Sequence, residues 1–312
     1  MQYLGETIAL GVAFSWTATA LFADTASHRI GALPLNLVRM ILSLMMLGGF
    51  LWLTTGCPYP AHADFATWFW LILSGLVGYV FGDYCLFNSY IVFGSKYGQL
   101  FMTIAPPVAG IASWMMLGES MRATSWIAMA VTLSGIAICI LAKGSDSGHL
   151  KLRLPLKGIL LGIGAGTGQG LGLVLSKIGL EHYAMALPIG TAEAAQEVMP
   201  FAGTFIRAIA GLAGFAVILL LRKELLSAAG KVRDRRGMLY AILTTFFGPF
   251  LGVSLSLMAV QYAKAGIAST LMALTPVLII VPYALIHHQK ISLREVIGTF
   301  VTVTGVALFF LL

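Results

Sequence analysis

The sequence predicts an all-α, polytopic membrane protein with ten transmembrane helices arranged as two inverted five-helix repeats. Three observations support this prediction: the composition, the long apolar segments and an internal repeat. Of the 312 residues, 59% are hydrophobic and only 10% are charged, and the mean hydropathy is +0.92. A water-soluble fold cannot bury so large an apolar fraction, because its surface must face water. The composition therefore excludes a soluble domain, a disordered chain and a nucleic-acid scaffold.

Apolar segments recur at the length that a bilayer-spanning helix needs, about 20 residues. Uncharged stretches such as 97–118, 237–263 and 265–289 lack the alternating polarity of membrane β-strands. The predicted helices occupy residues 3–22, 34–54, 67–88, 97–117, 123–142, 158–177, 199–221, 238–259, 265–286 and 293–312.

The two halves of the chain are similar in sequence. When residues 72–141 are shifted by 170, twelve of the seventy positions are identical. Those positions include Gly78/Gly248, Gly82/Gly252, Met102/Met272, Pro106/Pro276, Thr132/Thr302 and Gly135/Gly305. Because five is an odd number, two five-helix units enter the bilayer in opposite directions, as in many secondary transporters. We expect a first repeat at residues 1–142, a linker at 143–157 and a second repeat at 158–312.

Lysine and arginine are distributed unevenly between the two sets of predicted loops. Loops that follow odd-numbered helices hold fourteen of them, whereas the opposite side holds three, Arg122, Lys177 and Lys264. The positive-inside rule then places the odd loops in the cytoplasm and both termini outside. Loop charges of this kind also explain the net charge of +7, since no basic run is interleaved with stacking aromatic residues. We therefore expect no nucleic-acid partner.

Short motifs recur in the same order in both halves. They are Asn36–Arg39, Ala105–Pro107, Leu117–Glu119 and Gly135–Ala137 in the first half, and Ile206–Arg207, Ala265–Ser269, Thr275–Pro276 and Gly305–Ala307 in the second. Together they resemble the drug/metabolite transporter superfamily, in its EamA-like branch of ten-helix carriers. The resemblance covers nearly the whole chain as two tandem EamA-like repeats. It implies a carrier of small metabolites, often an exporter, in the bacterial inner membrane.

Two features depart from the pattern of that family. Gln289 stands where the first half has Glu119. Members of the family usually keep both termini in the cytoplasm, whereas the charge distribution predicts external termini.

Arg39 lies about two turns inside the second predicted helix. A charge at this depth costs a few kcal/mol and needs a partner or water. Asp83 is the expected partner, because helix 3 returns toward the side where helix 2 begins. The pair is either an ion pair that substrate or a proton breaks, or a permanent link between two helices.

Arg207 is the equivalent of Arg39 in the second half, but Val253 stands at the place equivalent to Asp83. Arg207 therefore lacks that carboxylate, although Glu193 and Glu197 lie upstream. An unpaired arginine beside a cavity suits an anionic or zwitterionic substrate, because a guanidinium grips a carboxylate at two points.

Aromatic and amide side chains inside the helices are the remaining candidates for the lining of a cavity. Small-molecule pockets are mostly apolar with a few placed polar groups. The candidates are Trp16, Tyr79, Asn88, Gln99 and Gln169. Each ring is also compatible with lipid-facing packing.

Prolines and glycines indicate where helices bend or approach closely. Pro106, Pro107 and Pro276 fall inside the fourth and ninth predicted helices, where proline kinks a helix, and are candidate hinges or static bends. Glycines at alternate positions from Gly162 to Gly172 contain overlapping GxxxG motifs, which favour close helix packing.

Two acidic residues lie near predicted helix ends. Glu119 is followed by Arg122, which predicts a local ion pair near the headgroups. Glu6 is a candidate proton-binding carboxylate. The adjacent His287 and His288 do not have the spacing of metal ligands, and we expect neither metal nor cofactor.

The pattern favours a secondary transporter, not an enzyme. It moves a small metabolite such as an amino acid or a related organic compound, probably by export, with a proton or another ion as a possible coupling partner. We expect a multi-pass protein of the inner (plasma) membrane, in contact with the lipid bilayer, as a monomer or a homodimer. One alternative is a membrane-embedded lipid-modifying enzyme, which needs an acid, base or metal cluster near one interface. The other is a non-transporting scaffold or receptor, which needs neither duplicated prolines nor intramembrane arginines.

Overall fold

The computed structural model describes residues 3–141, 155–188, 193–279, 282 and 293–311. Every regular element within these ranges is helical. The predicted linker lies outside the described residues except for 155–157, and so do His287, His288 and Gln289.

The first half consists of six α-helices with two short irregular turns between them. They are α1 (Leu4–Ile30), α2 (Ala32–Thr55), α3 (Phe65–Gly75), a π-helical segment (Leu76–Asp83), α4 (Tyr84–Phe101), a 3₁₀ turn (Met102–Ile104), α5 (Ala105–Leu117) and α6 (Ala123–Leu141). Gly31 separates α1 from α2 with a φ of 89°, and Gly94 reverses the chain inside α4 with a φ of 83°. Only glycine adopts such angles readily.

The second half follows the same order. It contains α7 (Leu156–Ala186), α8 (Glu193–Leu221), α9 (Leu225–Lys231), α10 (Arg235–Thr245), a π-helical segment (Phe246–Val253), α11 (Ser254–Tyr262), α12 (Ala265–Met272), α13 (Thr275–Leu278) and α14 (Leu293–Leu311). Side-chain caps begin two of the helices: Asp64 accepts from the N–H of Thr67 at α3, and Asp234 accepts from that of Arg236 at α10.

Seven helical stretches within the described ranges are long and apolar enough to cross a membrane. They are Leu4–Ile30, Ala32–Thr55, Phe65–Val92, Gly98–Leu117, Leu156–Ala186, Glu197–Leu221 and Arg235–Tyr262. Three shorter apolar helices accompany them, at Ala123–Ile138, Ala265–Leu278 and Val296–Phe309. The protein is therefore a multi-pass, helical membrane protein.

Helix α1 is longer than the sequence predicts, because polar residues near its end find partners and do not terminate it. Asp24 lies 3.4 Å from His28 one turn later. Arg29 pairs with Asp234 at 2.9 Å, which ties the end of α1 to the start of α10.

The two π-helical segments are separated by 170 residues, the same shift that aligns the two halves. The break before α5 and the break before α13 are separated by 170 residues as well. π-Helical turns are uncommon and cluster at functional sites. Their repetition shows that the two halves share irregular backbone as well as helix order.

Helices α6 and α14 pack through equivalent residues. A Cβ atom on Gly135 would overlap the backbone of Thr302, and a Cβ atom on Gly305 would overlap that of Thr132. Both threonines are fully buried. The contact is thus a reciprocal one between the two halves, and it depends on the absence of a side chain at both glycines.

Candidate functional site

A central cavity lies between the two halves, in two adjoining compartments of about 520 Å³ each, including space open to solvent. Five residues line both compartments: Trp16, Gln99, Met102, Gln169 and Val253. We name the compartments by the arginine that each contains, the Arg39 compartment and the Arg207 compartment.

The Arg207 compartment is lined by equivalent positions from both halves. Three pairs are separated by 170 residues: Gln99 and Ser269, Met102 and Met272, and Ala105 and Thr275. Trp16 and Gln169 form a fourth pair, since Trp16 contacts the position of Gly252 and Gln169 that of Gly82. The cavity therefore lies where the two repeats meet, at their approximate two-fold axis.

Arg39 and Asp83 form a buried ion pair in the Arg39 compartment. The Nη1 atom of Arg39 donates to Asp83 Oδ2 at 3.0 Å and to Asn36 Oδ1 at 2.9 Å. The guanidinium also stacks over the ring of Phe87, 4.6 Å from its centre. The pairing predicted from the depths of the two residues is present.

Gln169 completes this network from the second half. Its Nε2 atom donates to Asp83 Oδ1 at 2.6 Å and to the Gly78 carbonyl at 3.1 Å. Gly168 and Gly172 permit this approach, because a Cβ atom on either would lie within 3 Å of the Cα of Gly82 or Gly78. The glycines of α7 thus provide the close helix packing that the sequence predicts.

Arg207 is buried like Arg39 but has a different environment. Its guanidinium lies 4.8 Å from the centre of the Tyr79 ring. Among the described residues it makes no ion pair and no hydrogen bond. The place equivalent to Asp83 is held by Val253, which lines the same compartment.

Several buried polar atoms around the cavity have no hydrogen-bond partner within the described part of the chain. They are Arg39 Nε, Asn36 Nδ2, Tyr79 Oη and Arg207 Nε. Buried polar groups are almost always satisfied, so such a concentration indicates a place that water or a ligand occupies.

The structure brings seven of the eight candidate cavity residues together. Arg39, Tyr79 and Asp83 line one compartment, Arg207 lines the other, and Trp16, Gln99 and Gln169 line both. Asn88 is not among the lining residues: its Nδ2 donates to the Tyr84 carbonyl of its own helix at 2.7 Å. A helix amide can satisfy itself on the preceding turn, which the sequence alone does not show.

Ser269, Thr275, Met272 and Ser256 were missed as lining residues. The repeat itself holds the signal for the first of them, since Ser269 is the equivalent of Gln99 at the shift of 170. Transfer of each candidate to the other half would have found it.

The three prolines begin helices and do not kink them. Pro106 and Pro107 lie in the first turn of α5, directly after a 3₁₀ turn, and Pro276 lies in the first turn of α13. Proline has no N–H, and the first-turn N–H groups of a helix have no intrahelical partner anyway. The expected in-helix kinks are therefore wrong, and a role as hinges stays a prediction.

Glu119 has a different partner from the one predicted. Its carboxylate forms a short contact with Lys177 Nζ and accepts from the N–H of Ala265 at 3.1 Å. Lys177 also donates to the Ala263 carbonyl at 3.0 Å. The prediction of a pair with Arg122 was wrong, because the ends of α5 and α11 lie against α7. This contact closes one end of the bundle across the two halves.

The opposite end carries exposed charges. The Arg29 guanidinium donates a hydrogen bond that holds the pKa of Asp234 below its ordinary value. Arg222 donates to the hydroxyl of Tyr84 at 2.7 Å. At the start of α3, hydrogen bonds from Thr67 lower the pKa of Asp64 in the same direction. Within the described ranges, no cluster of His, Cys, Asp and Glu is able to hold a metal ion.

Comparisons with known proteins agree with the two-repeat arrangement. The model of the EamA-like transporter family matches residues 3–141 and 156–311. A solved structure described as "Crystal structure of protein" is similar with a TM-score of 0.73 and 16% identity, over 100% of this chain and 97% of that chain. At this identity the similarity concerns the fold alone. No curated protein matches the chain.

Proposed function

Since the chain belongs to the EamA-like transporter family, we propose that it is a secondary transporter that carries a small organic metabolite by alternating access between two inverted repeats. The observation that supports this proposal most is the lining of the central cavity by equivalent positions of both halves. A site on the axis between inverted repeats opens to either face when one repeat rocks against the other.

The contact between Glu119, Lys177 and the start of α12 closes the cavity at one end. In the proposed cycle this contact breaks when that end opens, and the halves close at the end that carries Arg29 and Asp234. The chain has no nucleotide-binding motif, so the gradient of the substrate or of a coupled ion such as the proton drives transport.

We place this carrier in the inner (plasma) membrane with ten spans, as a first repeat at 1–142 and a second at 158–312, and we propose export as its direction. The charge distribution supports external termini. Tags on each terminus, probed from outside intact cells, test the orientation: labelling of both supports it, and labelling only after permeabilisation contradicts it.

The test of transport begins with a thermal-shift screen of the purified protein against amino acids, organic acids, sugars and nucleotides, since a ligand stabilises the state that it binds. Each compound that raises the Tm is then tested for counterflow in proteoliposomes. Met272→Trp, which fills the cavity, should abolish binding and flux, whereas Met116→Trp, at an exposed position, should leave both unchanged. Binding without flux of any bound compound would contradict a carrier and favour a receptor.

A further inference from the structure

We propose that the central cavity binds its ligand through a carboxylate group, with Arg207 as the anchor, and that the substrate is a small organic acid or zwitterion with an apolar body. This inference rests on the proposed transporter function and specifies the substrate class of the same cavity.

The first argument is charge balance. Arg39 is neutralised by Asp83 at 3.0 Å, and the equivalent place beside Arg207 holds Val253. Arg207 is only 3% exposed and has no carboxylate partner among the described residues. A buried charge inside a membrane protein is costly without a counter-charge. The cavity of the empty protein therefore has one positive charge that an anionic group of the ligand would neutralise.

The second argument is the geometry around the guanidinium. One face of Arg207 stacks on the Tyr79 ring, which fixes the plane and leaves the edge for hydrogen bonds. The Nε atom of Arg207 and the Tyr79 hydroxyl both lack partners within the described part of the chain. A carboxylate accepts two parallel hydrogen bonds from such an edge.

The third argument is the rest of the lining. Met102, Met272, Leu173 and the indole of Trp16 surround the Arg207 compartment, with Gln99 and Ser269 as the nearest uncharged polar groups. Described acidic side chains are absent from this compartment. The lining suits a ligand whose carboxylate lies at Arg207 and whose remaining atoms are largely apolar.

The test compares acids with their amides, which differ in charge but hardly in shape. The Tm of the full-length protein in detergent is measured with phenylacetate and phenylacetamide, isovalerate and isovaleramide, and leucine and leucinamide, each at about 10 mM. We expect at least one acid to raise the Tm and its amide to leave it unchanged. Equal shifts from acids and amides, or no shift from any acid, would overturn the proposal.

Variants assign the effect to the anchor. Arg207→Gln should weaken acid binding at least about tenfold, because a charge-assisted hydrogen bond is lost. Arg222→Gln is the matched control, since Arg222 also stacks on a tyrosine, 5.5 Å from the Tyr84 ring, but is exposed. Acid binding that survives in Arg207→Gln contradicts the assignment.

Val253→Asp gives the sharpest test, because it reproduces in the second half the arrangement of Arg39 and Asp83. A permanent carboxylate beside Arg207 should abolish acid binding while the protein remains folded. If this variant does not fold, Gly78→Ala replaces it, because the added Cβ would lie 2.8 Å from Arg207 Nη2 and displace the guanidinium without removing its charge. Unchanged acid affinity in the variant that folds would overturn the role of Arg207.

The outcomes separate this inference from the proposed function. Counterflow of a neutral amide that is unaffected by Arg207→Gln overturns the carboxylate anchor and leaves the carrier intact. Binding of acids that depends on Arg207, without flux of any acid, supports the anchor and contradicts the carrier.

Discussion

Gly78 and Gly248 occupy equivalent positions in the two π-helical segments, and each faces the arginine of the opposite half. A Cβ atom on Gly78 would lie 2.8 Å from Nη2 of Arg207, and one on Gly248 would lie 3.3 Å from Nη2 of Arg39. Each guanidinium therefore reaches across the interface between the repeats. The two arginines differ in their counter-charge, and this difference makes the cavity asymmetric.

Asp83→Asn removes the counter-charge of Arg39 and leaves a buried guanidinium without a carboxylate. Loss of one partner of a buried ion pair costs about 3 kcal/mol, and we expect a loss of that size in the free energy of unfolding, together with impaired transport. Thermal denaturation in detergent measures the first effect, and counterflow measures the second. A variant with the stability and flux of the wild type would exclude any role for the pair.

The exposed pair of Arg29 and Asp234 predicts a pH dependence of the opposite kind, small and confined to acid. Because Arg29 lowers the pKa of Asp234 in the folded protein, the pair stabilises the fold above the unfolded pKa, about 3.9, and loses its effect as the pH falls through the lowered value. The Tm difference between the wild type and Asp234→Asn should be constant near neutral pH and vanish in acid. A difference that grows in acid contradicts the sign.

Gly135→Ala should force α6 and α14 apart, since the new Cβ would overlap the backbone of Thr302. Overpacking of this kind costs about 1–3 kcal/mol. Gly11→Ala is the matched control, because no atom lies within 4 Å of the position of its Cβ. Alanine favours a helix relative to glycine, so the control should be neutral or slightly stabilising. Equal stability of both variants would show that the contact is not close.

Glu119→Gln should weaken the closed end of the bundle, because Lys177 loses its counter-charge. We expect faster reaction of Ser256→Cys, which lines the cavity, with a membrane-impermeant thiol reagent added on the Glu119 side. The background lacks Cys57, Cys85 and Cys139. Arg122→Gln, which changes the exposed residue three positions later, should leave the rate unchanged. The same rate in both variants would show that Glu119 does not hold this end closed.

Much of the architecture follows from the sequence alone. Apolar length predicts the helices, and the shift of 170 predicts which residues are equivalent. The depth of Arg39 and Asp83 in antiparallel helices predicts their contact. These features are local or depend on the repeat, so a single chain is enough to derive them.

Other features depend on how the two halves sit against each other. Glu119 pairs with Lys177, which is 58 positions away in the sequence, because of the packing of α5, α7 and α11. The sequence has no corresponding signal, whereas Arg122 is a neighbour. The π-helical segments are equally hidden, since a wider turn shifts the apolar pattern by only one residue. Gln169 reaches Asp83 only because glycines on both sides of it remove side chains from the interface.

The central claim is that one cavity between the repeats opens to each face of the membrane in turn. Ser269→Cys, in the cysteine-free chain reconstituted into proteoliposomes of known orientation, tests it most directly, because this position lines the cavity and lies on the repeat axis. The account predicts reaction with an impermeant thiol reagent from either face, and protection by a bound ligand from both. Reaction from one face only, under every condition that supports binding, would contradict alternating access.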